Sequence, residues 1–315
     1  MDNQNYSGLL RTYQRMGGSE STLKDENIAH LVIHENEVYS SRVVEGLLLD
    51  FEKKADGVDI EFRVKEGYHI KYPVHLCFGV VPKEGEQRIK IKGKIEDYAE
   101  VKMLAHCMFP NAENVIHLMD ADIEIGNNSS FEYLEQHYHG EKGGIKVVPK
   151  ANLKVGDSSK LYTTFSLLNG RVGELKIDYN IEVGDRGVMD VLAKVLGYGD
   201  DKIIIKETGH LNGRYSRGLL KSRVVVKDTA MSEVLSELYA GLEAEGARGH
   251  VDCVELVMNK AHARAIPVVD VLNARAKVTH EASIGTVDKK QLNTLMSKGL
   301  SLEEATNVIV RGYLR

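Results

Sequence analysis

Residues 123–130 read IEIGNNSS, and the same kind of phrase returns as LKVGDSSK at 153–160 and IEVGDRGV at 181–188. Each phrase is a short strand followed by glycine and then by asparagine or aspartate, which suits a tight turn with a positive φ. Two related phrases, VVVKDTAM at 224–231 and LVMNKAHA at 256–263, continue the series at successive spacings of 30, 28, 43 and 32 residues. Hairpins of a β-sandwich would give turn signals every 8–12 residues or so, roughly a third of this spacing. The repeat therefore favours coils stacked into a parallel β-helix over a β-sandwich.

The phrases belong to a β region that runs from about residue 31 to residue 285. Segments such as RIKIKGKI, IKVVPKANLKV and ELKIDYNIEV alternate apolar and polar residues with the period of a half-buried strand. The stretch from Ser232 to Ala244 differs, because its apolar residues recur at helical spacing. We expect a helix inserted there, and we attribute the long 43-residue spacing to this helix and its loop.

Both ends of the chain have helical patterns. SGLLRTYQRM, residues 7–16, has one apolar stripe and is followed by two glycines that end a helix. Near the other end, DKKQLNTLMSKG predicts a short helix, and Ser301 with Glu304 forms a capping box that starts a final one. We therefore divide the chain into an N-terminal helical segment (1–30), a mainly β core (31–285) and a C-terminal helical segment (286–315).

Composition narrows the classes of function. The chain has 315 residues, 43% of them hydrophobic, and a net charge of −5 with both signs interspersed, so no basic face predicts nucleic-acid binding. The longest uncharged, mostly apolar run, Tyr72 to Pro82, is far shorter than the roughly 20 residues that span a bilayer. MDNQNYSGLL does not resemble a secretory signal. Three widely separated cysteines argue against a disulfide framework, so we expect a reducing, cytoplasmic location.

The sequence has none of the common nucleotide or nucleophile motifs. It contains no GxxxxGK[ST] phosphate loop, no GxGxxG opening a helix after a strand, and no GxSxG elbow. Cys77 lies in an apolar run and is interpreted as a small buried hydrophobe. Cys107 has His106 beside it, which leaves a ligand role open, although we favour a structural one.

One segment could hold a metal without any family relationship. In YLEQHYHG, residues 133–140, Glu135, His137 and His139 alternate onto one face of a strand. A cupin-type site also uses His-x-His, but a cupin has a glutamate three or four residues later, where this chain has Gly143 and Gly144. A metal-dependent β-fold enzyme is therefore one reading, and a polar, solvated strand face is the other.

The C-terminal 65 residues or so carry the most specific pattern. They contain Cys253, an A-x-P strand, the phrase HEASIG at 280–285, a D-x-x-Q-L helix, an E-E-A pair and an I-V-x-G-Y end. Together these features closely resemble the SufB/SufD family of iron–sulfur cluster assembly scaffolds, and YSRGL at 215–219 is also similar to it. Residues 1–120 resemble the family only loosely.

The resemblance implies a fold, a cargo and partners. The fold would be a right-handed parallel β-helix with a helical C-terminus, and the function would be to hold a transient iron–sulfur cluster for client apo-proteins. ATP hydrolysis would occur in a partner ATPase of the ABC type, SufC, which accounts for the missing phosphate loop. The chain itself would then be a scaffold and not an enzyme. The use of a flavin is left open.

The resemblance also separates two subfamilies. SufB-like chains have a cysteine where Cys253 stands and a glutamate where Glu281 stands, so the chain looks SufB-like, of the compact archaeal type that works without SufD. The sulfur-receiving cysteine of larger SufB proteins is matched most closely here by Asn180, which leaves the sulfur donor undefined. A SufD-like structural partner without ligands of its own is the remaining reading.

The spacing of Cys253 and Glu281 supports a shared site. They lie 28 residues apart, within the range of the repeat, so we expect them on adjacent coils with strands roughly 4.8 Å apart. A thiolate is a preferred iron ligand, and a carboxylate or imidazole can complete a labile site. A two-fold dimer would combine two copies of each residue into four ligands. His280 is a second candidate ligand, although adjacent strand residues point to opposite faces and it would then face away from Glu281.

Overall fold

The computed structural model describes residues 3–314, with side chains from residue 5 onward. Two helices, α1 (Asn3–Arg15) and α2 (Glu20–Lys24), precede the strands, and α3 (Lys289–Met296) and α4 (Leu302–Tyr313) follow them. Between them the chain alternates between two sheets, which form a β-solenoid of about eight turns. The solenoid predicted from the repeat and from the family resemblance is thereby confirmed.

The first sheet has ten strands and the second has nine, with parallel neighbours two numbers apart except that β5 pairs with β1. The first sheet contains β1 His30–His34, β2 Glu37–Arg42, β5 Val74–Gly79, β7 Glu100–Phe109, β9 Ser130–His139, β11 Lys160–Asn169, β13 Val188–Gly197, β15 Arg217–Val226, β17 Arg248–Val257 and β19 Lys277–Gly285. The second sheet contains β3 Leu47–Lys53, β4 Val58–Val64, β6 Glu84–Ile95, β8 Asn114–Ile125, β10 Ile145–Val155, β12 Gly173–Val183, β14 Lys202–Leu211, β16 Met231–Ala240 and β18 His262–Val271.

Each coil stacks on the next in a parallel register. From β4 onward the offset between paired residues runs from 28 positions, as between Ile177 and Ile205, to 31, as between Val234 and Ala265, whereas β1 pairs with β5 at an offset of 45. One face of each sheet points into the solenoid, and its alternate residues form one continuous apolar core along the axis. The opposite faces are charged and pair between coils, as in the 3.0 Å ion pair of Lys146 with Glu174.

The repeated phrases form one corner of the solenoid. The Asn127 amide donates to Asp97 Oδ1 at 2.7 Å, and the Asp157 amide donates to Asn127 Oδ1 at 2.9 Å, so the polar side chains tie successive turns together. A Cβ added to Gly156 would lie 2.6 Å from the Gly126 carbonyl oxygen, so this glycine is needed for the close approach of two coils. The positive φ falls on the residue two positions after the glycine, such as Asn128 at 55°.

The irregular spacing of 43 residues has a simple geometric cause. The first three phrases lie where the chain passes from the second sheet to the first, and the last two lie at the opposite corner. The step from residue 181 to residue 224 therefore crosses one and a half coils. No inserted helix is needed to explain this spacing, and none lies between β12 and β15.

The expected helix over Ser232–Ala244 is wrong, because residues 231–240 form β16. Ser232 and Ser236 point into the core, whereas Leu235 and Tyr239 are half-buried on the outer face. Because apolar residues lie on both faces of β16 and polar residues face the core, the apolar pattern no longer has a period of two and resembles that of a helix.

The N-terminal end of the solenoid has an antiparallel strand pair at the edge of each sheet. β2 and β3 pair antiparallel with β1 and β4 and form the outermost strands of the two sheets. Helix α1 packs on the outside of the first sheet, where Leu9 and Tyr13 join Val32, Cys77 and Met108 in a small apolar cluster. Cys77 is thus the buried hydrophobe that the sequence predicts.

The C-terminal end is open. β18 and β19 are edge strands, and most of their residues are exposed or half-buried. Helix α4 packs beside this end and not over it, with Val310 and Leu314 against Val225 and Leu256 on the outer face of the first sheet. Helix α3 contacts α4 and buries no residue.

Among residues 3–314, no helix has the length and apolar character needed to cross a membrane.

Candidate functional site at the open end of the solenoid

Cys253 lies inside the solenoid, one strand away from its open edge. It is on β17, points into the core and is 1% exposed. The Ser222 hydroxyl donates a 3.0 Å hydrogen bond to Cys253 Sγ. Burial raises the pKa of the Cys253 thiol to about 12, and the hydrogen bond from Ser222 only partly offsets it. In the isolated chain the residue is therefore a protonated thiol.

Two buried carboxyl groups lie on the inner surface near this thiol, and the sequence analysis did not single them out. Glu255 follows Cys253 by two residues on the same face, and it accepts a short hydrogen bond from the Ser232 hydroxyl. Glu207 lies on the opposite sheet, and burial raises its pKa to about 8. Burial also raises the pKa of Glu255. A charged residue at an inward position of a strand, as in VDCVELV, is the signal that would have revealed Glu255.

Glu281 does not share a face with Cys253, so the expected shared site within one chain is wrong. The register of β17 and β19 pairs Cys253 with Ala282, and it pairs Glu281 with Asp252. Asp252 is on the outer face, where it forms an ion pair with Arg223. Glu281 is therefore an exposed residue of the outer face, on the opposite side of the first sheet from the Cys253 thiol.

His280 does share the face of Cys253. It pairs with Val251, two residues before the cysteine, so it is the diagonal neighbour of Cys253 across the strand pair. Diagonal neighbours lie roughly 7–8 Å apart, which a metal cluster can bridge. His280 is exposed at the edge strand. The inner face of the open end thus combines one thiol, one carboxyl group and one imidazole: Cys253, Glu255 and His280.

The second candidate set lies inside the solenoid. Glu135, His137 and His139 share one face of β9 as expected, but this face points into the core and the residues are 1–2% exposed. The solvated strand face considered from the sequence is therefore wrong. Glu135 Oε1 lies 2.7 Å from His137 Nε2, and His137 Nδ1 lies 3.1 Å from His139 Nε2.

Cys107 belongs to this interior cluster. Its thiol donates a long hydrogen bond of 3.9 Å to Glu135 Oε1, and the donor atoms of Cys107, Glu135 and His137 all lie within 4.8 Å of one another. Burial raises the pKa of Cys107 and raises that of Glu135 to about 7, whereas it lowers the pKa of His137 to about 3. Asn180 is not part of either set, because its neighbours Tyr179 and Ile181 occupy the inward positions of β12.

The comparisons with known proteins agree with this architecture. Residues 88–313 match the family model described as SUF system FeS cluster assembly, SufBD core domain. The chain is 34% identical to an iron–sulfur cluster assembly SufBD family protein of Methanocaldococcus jannaschii, over 92% of this chain and 93% of that protein. It is also 34% identical to one of Pyrococcus horikoshii, over 98% of this chain and 93% of that protein.

A bacterial relative is similar over a shorter stretch. The iron–sulfur cluster assembly protein SufB of Bacillus subtilis is 42% identical over 78 residues, which cover 24% of this chain and 17% of that protein. The family model matches most of the chain, and the two archaeal relatives match nearly all of it. The chain therefore belongs to the SufBD family of iron–sulfur cluster assembly proteins.

Proposed function

We propose that the chain is the scaffold on which an iron–sulfur cluster is assembled, as a homodimer that works with a SufC-like ABC ATPase. The observation that carries the proposal is the position of Cys253, which faces the interior one strand from an uncovered edge. Cluster ligands at such a position are protected from solvent until a partner protein or a movement of the edge strand exposes them.

The residues at the open end fit a cluster that is held and then given away. Cys253 supplies the thiolate, and His280 and Glu255 are the imidazole and carboxyl group on the same face. Binding of iron must displace the thiol proton, because the raised pKa of Cys253 keeps it protonated near neutral pH. One thiolate with nitrogen and oxygen ligands binds a cluster less tightly than four thiolates. Such a site suits transfer to client apo-proteins.

A homodimer completes the ligand set. β18 and β19 present unpaired edge groups. Exposed apolar side chains lie on or beside them: Ile284 on β19 is 49% exposed, and Leu272, just after β18, is 59% exposed. A two-fold axis through this edge brings two Cys253 residues and two His280 residues towards each other. Glu281 would then act at the rim of the interface, since it points outward within its own chain.

The C-terminal helices are the proposed docking surface for the ATPase. Helix α3 buries none of its residues, and α4 leaves Leu302 and Val308 exposed while it anchors the pair to the solenoid through Val310. ATP-driven closure of two ATPase subunits would pull on both helix pairs and act on the nearby edge strands. The chain itself would catalyse no reaction. Its three cysteines are free, which fits the cytoplasm.

Anaerobic reconstitution with iron and sulfide tests the proposal. The wild-type chain should acquire a brown chromophore, and Cys253→Ala should lose about tenfold or more of it, because the only thiolate at the open end is gone. Cys77→Ala is the matched control, since it also removes a buried thiol but lies beneath α1 at the other end. An equal chromophore in the wild type and in Cys253→Ala would support a SufD-like structural role instead.

A further inference from the structure

The hydrogen bonds of the interior cluster on β9 have only one consistent direction. The Arg171 carbonyl oxygen, 3.3 Å from His139 Nδ1, can only accept, so His139 carries its proton on Nδ1. Neutral His139 then accepts at Nε2 from the Nδ1–H group of His137. Neutral His137 is left with a lone pair on Nε2, which faces Glu135 Oε1. Glu135 Oε1 and His137 Nε2 therefore share one proton, which is on Glu135 when His137 is neutral.

This arrangement matches the way proteins prepare a histidine for a metal. A ligating imidazole usually donates its second N–H group to a neighbouring acceptor, which fixes the tautomer and the ring orientation. His139 fills that role for His137, so it is a supporting residue and not a ligand. The lone pair of His137 Nε2 points towards the Glu135 carboxyl group, with the Cys107 thiol 3.9 Å beyond it.

We propose that Cys107, Glu135 and His137 bind a divalent first-row transition-metal ion, zinc or iron, inside the solenoid. On a tetrahedral zinc ion with bonds of about 2.0–2.3 Å, neighbouring donor atoms lie about 3.3–3.5 Å apart. The present separations of 2.7 Å and 3.9 Å lie on either side of this range, so small side-chain movements admit the ion. Binding releases the protons of Cys107 and Glu135, and the two negative charges neutralise the divalent cation.

Two further observations indicate that the cluster is incomplete without a ligand. Glu135 Oε2 and both ring nitrogens of His117 are buried and have no hydrogen-bond partner within residues 3–314. Unpaired polar atoms in a core are costly, and a bound ion is one of the ways in which proteins satisfy them. The His117 ring lies 6.1 Å from the His137 ring, outside the group of three donor atoms that lie within 4.8 Å of one another.

The metal content of the purified full chain tests this site apart from the proposed cluster site. The chain carries Cys253→Ser throughout, so that no result depends on the open end. Cells are grown with added Zn²⁺, Fe²⁺ or Co²⁺ in separate cultures, and the metal is measured by mass spectrometry. We expect about one equivalent per chain in at least one of these cultures, and the culture identifies the preferred ion.

Each test variant has a matched control. Glu135→Gln keeps a donor to His137 but removes the carboxylate, and Glu207→Gln changes another buried carboxyl group of the core. Cys107→Ser is compared with Cys77→Ser, because both thiols are buried but Cys77 packs on the outer face. The test variants should lose about tenfold in metal content or more, and the controls should not.

Cobalt provides a readout that does not depend on the quantity of folded protein. The Co²⁺-loaded chain should show a thiolate-to-cobalt charge-transfer band, and Cys107→Ser should lack it while Cys77→Ser keeps it. The proposal is overturned if the Cys253→Ser chain contains no stoichiometric metal from any culture. It is equally overturned if metal content and the cobalt band persist in both Glu135→Gln and Cys107→Ser.

Discussion

Cys253 and Glu281 are on adjacent strands of one sheet, and their side chains point to opposite faces. Their separation of 28 residues is one short of the 29-residue offset at this coil, where Cys253 pairs with Ala282. Because side chains alternate with a period of two, a difference of one residue moves a side chain to the other face. The register therefore places His280 and Glu255, and not Glu281, on the same face as the Cys253 thiol.

The first prediction separates the two residues of the HEAS phrase. His280→Ala should lower cluster retention about tenfold, because it removes an imidazole from the inner face beside Cys253. Glu281→Ala should have the milder effect, because its side chain lies outside. Anaerobic reconstitution followed by chelator challenge measures both. A larger loss in Glu281→Ala than in His280→Ala would contradict the assignment of faces.

The inner carboxyl group gives a second, isosteric comparison. Glu255→Gln should weaken cluster retention more than Glu281→Gln, since only Glu255 shares the inner face with Cys253. Both substitutions conserve shape and remove one carboxylate, so a melting curve should show little difference between them. Equal retention in the two variants would exclude Glu255 from the site.

The third prediction concerns association through the open edge. Ile284→Asp should shift the chain from dimer to monomer, because it places a charge on an exposed apolar edge strand. Val43→Asp changes an equally exposed residue near the N-terminal end of the solenoid and is the control. Sedimentation at micromolar concentration, with and without the ATPase, measures the change. Dimers that persist in Ile284→Asp would place the interface elsewhere.

The fourth prediction follows from the buried Glu207. Its pKa is about 8 in the folded chain against an ordinary 4.5, because burial disfavours the charged form. The unfolded chain releases this proton first as pH rises. The contribution of Glu207 to stability is therefore complete below about pH 4.5 and is lost as pH rises through about 8.

Glu207→Gln should accordingly stabilise the chain at alkaline pH. The free energy of unfolding of the variant, relative to that of the wild type, should rise by about 2–4 kcal/mol from pH 5 to pH 9. Thermal unfolding at both pH values measures this change. Glu182→Gln, on the exposed outer face, should leave the pH profile of the wild type unchanged. Parallel profiles for Glu207→Gln and the wild type would show that Glu207 ionises normally.

The fifth prediction concerns the ATPase. Charge reversal at exposed Lys289, Lys298 or Glu303 should weaken binding of the ATPase in a pull-down and leave the melting temperature unchanged. Val310→Ala is the contrasting variant, because it should lower the melting temperature through lost packing against the first sheet. Undiminished binding across all three reversals would exclude α3 and the start of α4 as the docking surface.

The sequence predicted the solenoid for two reasons. Most strands alternate apolar and polar residues, and one corner of successive coils repeats a glycine followed by the asparagine or aspartate that bonds to the next coil. It failed at β16, where Ser232 and Ser236 face the core and apolar residues lie outside. Such polar residues are satisfied by contacts across the interior, as Ser232 is by Glu255, and no local pattern shows those contacts. The burial of His137 was also missed, because its polar contacts lie inside the solenoid and are not visible in a local sequence pattern.

The candidate site was predicted in part. Cys253 and His280 were named from the family phrase, but the face of each depends on the length of one coil, and the coils differ in length by up to three residues. A spacing within the range of the repeat therefore brings two strands together without deciding which side chains meet. The sequence did not place Cys107 in the interior cluster, because its position depends on the register of β7 and β9, which pairs Cys107 with His137.

The most direct test of the scaffold role is the mass of the anaerobically reconstituted chain under native conditions. For a scaffold we expect a dimer that carries an iron–sulfur cluster in the wild type, and in Cys253→Ala a dimer of the same stability without the cluster. Detection of the same cluster mass on Cys253→Ala, or of the cluster on a wild-type monomer, would contradict the central claim.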